Sequence, residues 1–365
     1  MRISAAVCRA VDRPPALEDL ALDAPRDDEV LVRIVAAGIC HTDLFAPARF
    51  PLPAVFGHEG AGIVERVGAR VSKVRPGDRM ALTFGSCGRC VRCTLGDVAY
   101  CEHGHHLQFD GTRPDGSTTL RDAQGGVVHG SFFQQSSFAT WALAGERNVV
   151  RVPDALPLER AAPLGCGVQT GAGAVLNTLA ARPGSSIAIF GAGSVGLSAV
   201  MAARIAGCST IVAVDVIDAR LALARELGAT HTVDARGGGA AARVREITGG
   251  RGADYTFETA GQVQSFNDAI GCLARKGCCA IATIPRLGEP FEWSPLGLLL
   301  RAGRLVVCIE GDSVPDQFIP QLAAWHLEGR LPYDRFCQQY SFADFPRAWA
   351  DADAARAIKP ILRME

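Results

Sequence analysis

The sequence lacks an excess of charge of either sign, since its 365 residues carry 37 Lys and Arg against 38 Asp and Glu. It therefore offers no electrostatic footprint for nucleic acid or for an anionic membrane. No apolar run reaches the roughly 18 residues that a membrane-spanning helix needs. Arg9 interrupts the apolar stretch near the N-terminus, which argues against a signal peptide. Low-complexity tracts and internal repeats are also absent, so we expect about two folded domains rather than disorder.

The sequence also lacks the even cysteine count of a secreted disulfide framework, because its cysteines number 13. Seven of them lie mostly in apolar runs: Cys8, Cys208, Cys272, Cys278, Cys279, Cys308 and Cys337. An odd total with this placement fits reduced, buried thiols. We therefore expect a cytoplasmic protein.

Four further cysteines are closely spaced as C-x2-C-x2-C-x7-C: Cys87, Cys90, Cys93 and Cys101. Thiolates this close can surround one zinc ion at about 2.3 Å each in a tetrahedron. Because the protein then fills every coordination position, the spacing predicts a structural zinc rather than a reactive one. The alternatives are free thiols in a loop, or the zinc ribbon of a nucleic-acid-binding module, which the balanced charge disfavours.

Strand and helix patterns divide the chain into a β-rich part and an α/β part. Segments rich in Val and Ile at 29–39 and 60–69 predict strands in the first part. Further along, strands alternate with helices, which predicts parallel βαβ units in a doubly wound α/β domain. The last residues return to mixed signals and end in the strand-like IKPILRM. We predict a domain formed by 1–167 and 311–365, interrupted by an inserted domain at 168–310.

A dinucleotide-binding fingerprint opens the inserted domain. Gly191, Gly193 and Gly196 form G-x-G-x-x-G, with Val195 inside it, directly after the strand-like SSIAIF and before a helical segment. The first glycine permits a tight turn, the second lets the backbone approach a pyrophosphate, and the third lets the helix pack on the strand. The helix N-terminus then offers free N–H groups to the phosphates.

The residue that ends the next strand indicates which dinucleotide binds. Asp215 lies 24 residues after Gly191, where a carboxylate can accept hydrogen bonds from the adenosine ribose. Val216 and Ile217 supply no arginine for a 2′-phosphate, and a carboxylate repels one. The sequence therefore favours NAD over NADP. The alternative, an aspartate that caps the following helix, fits Asp218 better.

A second, scattered set of metal-binding side chains comprises Cys40, His58 and Cys166. Two cysteines and one histidine supply three ligands and leave one position open, which is the arrangement of a catalytic zinc. The spacing alone makes this a modest hypothesis, because an isolated cysteine such as Cys166 is more often a small buried apolar residue.

The order of these motifs resembles one family over nearly the whole chain, the zinc-dependent medium-chain alcohol dehydrogenases. The matching pieces are GICHTD, GHEGAG, the four-cysteine segment, LGCG, GAGSVG and IKPILRM. The resemblance implies a GroES-like, mostly-β catalytic domain with an inserted Rossmann domain. It also implies NAD and two zinc ions per chain, one structural and one catalytic. Cys40, His58 and Cys166 would bind the catalytic zinc, with Glu59 behind it.

The resemblance implies further site residues. Thr42 would accept the proton of the alcohol, and Asp43 would orient the ligand histidine. The expected cofactor contacts are His41 at the pyrophosphate, Thr170 at the nicotinamide, Arg220 at the adenosine ribose and Lys359 near the phosphates. Alternatives stay open: Thr42 as a strand hydroxyl, Asp43 as a turn residue, Arg220 as an exposed helix charge, and Lys359 as the partner of a buried Glu59 or as a solvent-facing charge.

Within the family the chain looks most like the aryl (benzyl) alcohol dehydrogenases, a group close to bacterial geraniol dehydrogenases. The segments that carry this narrower resemblance are GTRPDGSTTL (111–120), HGSFFQQSSFA (129–139) and IEGDSVPDQFIPQL (309–322). Many relatives end a proton relay in a histidine near the position of Phe45, and an apolar residue there agrees with the aryl group. Phe45 cannot carry a proton, so the relay beyond Thr42 must use water or His41.

We therefore expect NAD-dependent oxidation of aromatic or allylic primary alcohols, reversible as aldehyde reduction. The alternatives are the same chemistry on a terpene alcohol (geraniol or perillyl alcohol) or an aliphatic alcohol, a zinc-free quinone-reductase-like activity, and a non-catalytic cofactor-binding protein. The partner is a small molecule, neither nucleic acid nor a membrane. The family resemblance suggests a homodimer or homotetramer joined through an edge strand of the cofactor domain.

Overall fold

The computed structural model describes residues 1–283 and 295–364. Within these residues the strands are β1 (Arg2–Cys8), β2 (Ala16–Leu22), β3 (Glu29–Gly38), β4 (Ala54–Val55), β5 (Glu59–Val67), β6 (Arg79–Leu82), β7 (Leu120–Arg121), β8 (Val127–Val128), β9 (Trp141–Gly145), β10 (Val149–Arg151), β11 (Ser186–Phe190), β12 (Thr210–Asp215), β13 (His231–Asp234), β14 (Ala253–Glu258), β15 (Leu273–Ile281), β16 (Arg304–Val307), β17 (Cys337–Ser341) and β18 (Lys359–Arg363).

The α-helices of the same residues are mostly short before residue 190 and longer after it. They are α1 (His41–Phe45), α2 (Val91–Thr94), α3 (Gly104–Phe109), α4 (Leu158–Ala161), α5 (Gly167–Gly173), α6 (Ser194–Ile205), α7 (Asp218–Leu227), α8 (Ala240–Ile247), α9 (Val263–Gly271), α10 (Pro295–Arg301), α11 (Pro315–Leu327) and α12 (Phe345–Asp353). None of the described helices is long and apolar enough to cross a membrane.

The chain divides into two compact units. The first comprises Met1–Cys166, Val314–Leu327 and Asp334–Glu365, and the second comprises Gly167–Ser313 and Glu328–Tyr333. Each unit has a hydrophobic core of its own and is of ordinary domain size.

Two sheets, antiparallel apart from one pair, build the first unit. One has the strand order β4-β1-β2-β7-β8, and the other has the order β10-β6-β5-β3-β18-β17 with β9 paired to β3. The exception is β17, which runs parallel to β18. The strand β18 pairs with β3, so that Leu362 lies opposite Ala37. The C-terminal strand therefore completes a sheet that the N-terminal part begins, and this pairing positions Lys359 beside the end of β3.

One parallel sheet builds the second unit, with the order β13-β12-β11-β14-β15-β16 in the described residues. Numbered from β11, this order is 3-2-1-4-5-6, the arrangement of dinucleotide-binding doubly wound sheets. All five residues of its central strand β11 are buried, because helices cover both faces of such a sheet.

The strands expected at 29–39 and 60–69 form β3 and β5, and IKPILRM forms β18. The alternating strands and helices expected from residue 185 also form. The strand-like CCAIATIP (278–285) belongs to β15, which begins earlier, at Leu273, and its last two residues lie outside the described ones. The helices α1 to α3 were not expected, because each is shorter than two turns and too brief to show a period in the sequence.

Candidate active site

The first candidate metal site is the four-cysteine loop, which we define as residues 87–101. Its four sulfurs all lie within 4.8 Å of one another. The Sγ atoms of Cys87 and Cys93 are 4.0 Å apart, and so are those of Cys90 and Cys101. A tetrahedron with metal–sulfur distances of about 2.3 Å has sulfurs about 3.8 Å apart. The loop therefore has the size of a zinc site before any metal is added.

Backbone N–H groups of the loop point at its sulfurs. Cys101 Sγ accepts from the N–H of Cys87 at 3.2 Å, and Cys87 Sγ accepts from the N–H of Cys90 at 3.3 Å. The N–H groups of Cys93 and Glu102 lower the pKa of the Cys90 thiol to about 6. Donors of this kind favour the thiolate, which is the form that binds zinc.

The second candidate metal site is the catalytic donor set, which we define as Cys40, His58 and Cys166. Their ligand atoms and a carboxylate oxygen of Glu59 lie within 4.8 Å of one another. His58 Nε2 is buried and has no hydrogen-bond partner among the residues described. A buried, unpartnered nitrogen that faces two thiols is costly unless a metal occupies the space. The donors present therefore fit a zinc ion with three protein ligands.

Asp43 holds the histidine of this set in place. Its Oδ1 lies 2.8 Å from His58 Nδ1, and its Oδ2 accepts from the N–H of Cys40 at 2.8 Å. Both side chains are fully buried. A histidine that donates from Nδ1 presents the lone pair of Nε2, so this contact selects the tautomer that can bind a metal. Asp43 reaches both His58 and the N–H of Cys40 because it lies in the first turn of α1, the helix that begins directly after Cys40.

Lys359 and Glu59 form the buried ion pair that the sequence suggested as one alternative. Lys359 Nζ donates to the two carboxylate oxygens of Glu59 at 2.7 and 2.8 Å, and to the carbonyl of Ile39 at 3.3 Å. An ammonium has three donors, so all of them are used inside the protein. This geometry does not fit the predicted contact of Lys359 with cofactor phosphates, since the residue is only 1% exposed.

The charges around the donor set favour a thiolate at Cys40. The Cys166 side chain, which hydrogen-bonds to it, and the positive charge of Lys359 hold the pKa of Cys40 well below its usual range, against the effect of burial. Burial alone would lower the pKa of His58, but the Asp43 carboxylate raises it well above its usual value. A cation in this space would interact favourably with the thiolate and complete the site.

The remaining side chains of α1 are accessible to different degrees. Thr42 is half-buried, and its Oγ1 lies 4.0 Å from Cys40 Sγ. His41 is exposed, and its ring centroid lies 6.3 Å from that of Phe45, which is 62% exposed. The structure thus places a hydroxyl beside the donor set and an imidazole nearby on the same helix.

The glycine motif of the second unit has the expected geometry. Gly191 has a φ of 96°, a conformation that favours glycine, and a Cβ at Gly196 would collide with the carbonyl of Gly191. A Cβ at Gly193 would meet no heavy atom of the described residues within 4 Å. The second glycine therefore leaves open space at the start of α6, where a pyrophosphate can approach the backbone. The carbonyl of Val195 packs against Gly171 of α5, the residue after Thr170.

Asp215 lies at the end of β12 and contacts the glycine turn. Its Oδ2 accepts from the N–H of Ala192 at 2.6 Å, and its Oδ1 accepts from the N–H groups of Val216 and Ile217 at 2.7 and 2.9 Å. A carboxylate has about four acceptor positions, so one remains for a ribose hydroxyl. Arg220 is half-buried in the first turn of α7, close in sequence to Asp215.

Sequence reasoning assigned no role to two side chains that contact His58. The Phe133 ring stacks on the imidazole with centroids 4.5 Å apart and planes at 25°. The Gln135 Nε2 donates to the carbonyl of His58 at 2.9 Å. Both lie in HGSFFQQSSFA (129–139), a segment that the sequence marks only as typical of the aryl group. No local pattern connects this segment to His58, which lies more than 70 residues earlier.

Comparison with known proteins assigns the family. Residues 26–154 match the family described as alcohol dehydrogenase GroES-like domain, and residues 194–325 match zinc-binding dehydrogenase. The chain is 43% identical to a geraniol dehydrogenase of Castellaniella defragrans over 98% of its own length and 96% of that protein. The chain belongs to the zinc-type alcohol dehydrogenases.

Solved structures of the family agree with this assignment. A zinc-binding-domain alcohol dehydrogenase protein of Burkholderia ambifaria has a TM-score of 0.97 at 49% identity, with 100% of this chain and 99% of that chain covered. A benzyl alcohol dehydrogenase of Acinetobacter calcoaceticus has a TM-score of 0.96 at 38% identity, with both chains covered completely. The predicted fold, a GroES-like domain and a Rossmann domain, is confirmed. The predicted cofactors, NAD and two zinc ions per chain, are those of a zinc-type alcohol dehydrogenase, and the two metal sites fit them.

Proposed function

We propose that this alcohol dehydrogenase oxidises aromatic and allylic primary alcohols of the benzyl type with NAD, and reduces the corresponding aldehydes in reverse. The observation that carries the proposal is the catalytic donor set beside the Thr42 hydroxyl, with the rings of Phe132 and Phe133 against His58. We further propose that 1–167 and 311–365 form the catalytic domain and that 168–310 forms the NAD-binding domain.

Oxidation of a primary alcohol removes a proton from its oxygen and a hydride from its carbon. When bound, zinc would supply a Lewis acid for the oxygen and NAD would supply a hydride acceptor. Cys40, His58 and Cys166 would hold the metal, and Asp43 keeps His58 in the required tautomer. Thr42 is both a donor and an acceptor, so it can take the proton from the alcohol and release its own. Beyond Thr42 the proton would leave through water or through His41, because Phe45 cannot carry it.

Aromatic side chains around His58 support an aromatic substrate. The rings of Phe132 and Phe133 lie 5.6 and 4.5 Å from the imidazole, and Phe109 lies 5.3 Å from Phe133. Phe109 is half-buried and therefore has surface to offer. Flat rings stack or meet edge to face with such side chains, which contributes about 0.5–1.5 kcal/mol per pair beyond simple burial.

The second candidate is a terpene alcohol such as geraniol or perillyl alcohol. The similarity to the Castellaniella geraniol dehydrogenase favours it, whereas the similarity to the Acinetobacter benzyl alcohol dehydrogenase favours the first. Both substrate classes carry the hydroxyl on a carbon next to an unsaturated one. The intact donor set argues against a protein that binds the cofactor without catalysis.

A panel of alcohols tests the substrate class by following NADH absorbance with benzyl, cinnamyl, geranyl and perillyl alcohols and with ethanol. We expect benzyl and cinnamyl alcohols to exceed ethanol in kcat/KM by more than about 100-fold, or roughly 3 kcal/mol of transition-state binding. Burial of a ring can supply this amount. Equal efficiency for ethanol and benzyl alcohol would reject the aryl specificity, and a higher value for geraniol would select the second candidate.

The cofactor site supports NAD through Asp215. Its remaining acceptor position can bind a ribose hydroxyl, and its charge opposes the 2′-phosphate of NADP. Thr170, Gly191, Gly193, Val195, Gly196 and Arg220 are the other proposed cofactor contacts of this unit. His41 is the proposed pyrophosphate contact of the other unit.

We also propose a cytoplasmic homodimer or homotetramer. At the edge of the described parallel sheet, β16 and the residues just after it carry exposed apolar side chains: Leu305, Val307 and Ile309. An apolar edge strand of this kind favours pairing with a second copy. None of the 13 cysteines forms a disulfide in the described residues, which fits a reducing compartment.

A further inference from the structure

The segment 131–138 has an unusual backbone beside the catalytic donor set. Four of its residues have positive φ although none is glycine: Ser131 at 57°, Phe133 at 50°, Gln134 at 54° and Ser136 at 52°. The left-handed conformation is unfavourable for a residue with a Cβ. It persists only where the surrounding contacts hold it, and such strain is concentrated at functional sites.

Hydrogen bonds attach this segment to the residues that precede His58. Ser136 Oγ donates to the carbonyl of Val55 at 2.7 Å. The N–H groups of Ser137 and Phe138 donate to the carbonyls of Gly57 and Phe56 at 2.9 and 3.0 Å. The segment is therefore hydrogen-bonded to the three residues that directly precede His58.

Gln135 fixes the backbone on both sides of Glu59. Its Nε2 donates to the carbonyls of His58 and Thr83 at 2.9 and 3.1 Å, and its Oε1 accepts from the N–H of Gly60 at 3.1 Å. The side chain is 2% exposed, so water does not compete for these bonds. An amide is the one side-chain group of this shape that donates and accepts at once.

Phe133 limits rotation of the imidazole. Its ring lies nearly parallel to that of His58, and Phe132 meets the same imidazole edge-on at 80°. Asn148 Nδ2 donates to the Phe133 carbonyl at 2.9 Å and anchors the residue in its strained conformation. Asp43 holds one nitrogen of the imidazole and the two rings hold its plane, so Nε2 has a fixed direction.

We propose that Phe133 and Gln135 are positioning residues for the zinc ligand His58, and that the strained segment exists to place them. The inference rests on the proposed role of His58 as a ligand of the catalytic zinc. Residues that orient a metal ligand from outside the coordination sphere typically change metal affinity or activity about 10–100-fold when they are replaced.

Zinc release to a chromogenic chelator tests this proposal. The catalytic zinc is identified as the release phase that the Cys166→Ser variant lacks. We expect this phase to become about tenfold faster or more in Phe133→Leu and in Gln135→Glu, while the phase of the four-cysteine loop is unchanged. In both variants kcat should fall, whereas KM for NAD should remain as in the wild type. Gln135→Glu keeps the length of the side chain but removes the N–H donors that reach the carbonyls of His58 and Thr83.

The matched control is Phe345→Leu, since Phe345 is fully buried in the same unit and has ring contacts with Phe138 and Phe342 but none with His58 among the described contacts. It should lower thermal stability as much as Phe133→Leu and leave both release phases as in the wild type. Equal release of the catalytic zinc from the two variants would overturn the positioning role. If Cys166→Ser still shows both phases, the proposed donor set is wrong and the inference falls with it.

Discussion

The four-cysteine loop takes its sulfurs from 15 consecutive residues, whereas the first and last members of the catalytic donor set, Cys40 and Cys166, are 126 residues apart. In the loop, backbone N–H groups stabilise the sulfurs. In the donor set, Asp43 of α1 contacts His58, and Lys359 of β18 is paired with Glu59, the residue after His58. These side chains come from elements that are far apart in the sequence. The first site can therefore be closed by the metal itself, while the second exists only once the fold has formed.

This difference predicts that losing a ligand has opposite consequences at the two sites. At the loop the metal contributes to folding, so a missing ligand affects stability. At the donor set the fold is already in place, so a missing ligand affects chemistry.

The largest effect is expected for Cys166→Ser. Losing a ligand of the catalytic metal removes several kcal/mol of charge stabilisation, so turnover should fall about 10³-fold or more. The melting temperature should change little. The measurement is kcat with benzyl alcohol, together with thermal unfolding. A variant that keeps its activity would show that Cys166 is only a small buried residue.

Cys101→Ser should produce the reverse pattern. Because structural zinc supplies folding free energy, we expect a loss of several kcal/mol and a fall in melting temperature of roughly 10 °C. The fraction that remains folded should turn over nearly as the wild type does. Thermal unfolding followed by circular dichroism measures this effect, and an unchanged melting temperature would contradict a structural role for the loop.

Thr42 tests the donor set without touching a ligand. Thr42→Val should reduce turnover by about 10²-fold or more, since positioned acid–base groups contribute about 10²–10⁴-fold. Thr42→Ser retains the hydroxyl and should be mild. Both variants should keep two zinc ions, which separates proton transfer from metal loss. Full activity in Thr42→Val would place the proton route elsewhere.

Asp215→Ala extends the comparison to the second unit and should have the smallest effect. Losing a hydrogen bond to a charged acceptor costs about 1.5–3 kcal/mol, so kcat/KM for NAD should fall about ten- to a hundredfold and NADP should become a better cofactor. Asp215→Asn is the matched control, because its side-chain oxygen can still accept from the N–H of Ala192 while the negative charge is removed. A wild-type enzyme that prefers NADP would contradict the role assigned to Asp215.

The same contrast explains how far the sequence could predict the structure. The four cysteines and the three glycines are local patterns, and each implies its geometry from spacing alone. The members of the catalytic donor set are far apart in the sequence, so Cys166 could be predicted as a zinc ligand only from the resemblance to a known family. Lys359 was predicted as a cofactor contact or as the partner of Glu59. The structure shows the second, because the pairing of β18 with β3 brings Lys359 next to Glu59.

Phe133 and Gln135 could not be predicted to contact His58 from the sequence. Their positions depend on a backbone of positive φ that is not signalled by glycine, and on hydrogen bonds to residues far away in the chain. Residue propensities and hydrophobic periodicity predict only helices and strands. This segment is irregular, and its backbone is held by contacts with the residues around His58.

The most direct test of two zinc ions with separate roles is the metal content of the purified wild-type enzyme, measured by mass spectrometry alongside NADH formation from benzyl alcohol. The structure predicts two zinc ions per chain. It also predicts that a chelator which removes only the zinc of the catalytic donor set abolishes turnover while the circular dichroism spectrum stays unchanged. A protein that is fully active with one zinc ion per chain, or with none, would contradict this account.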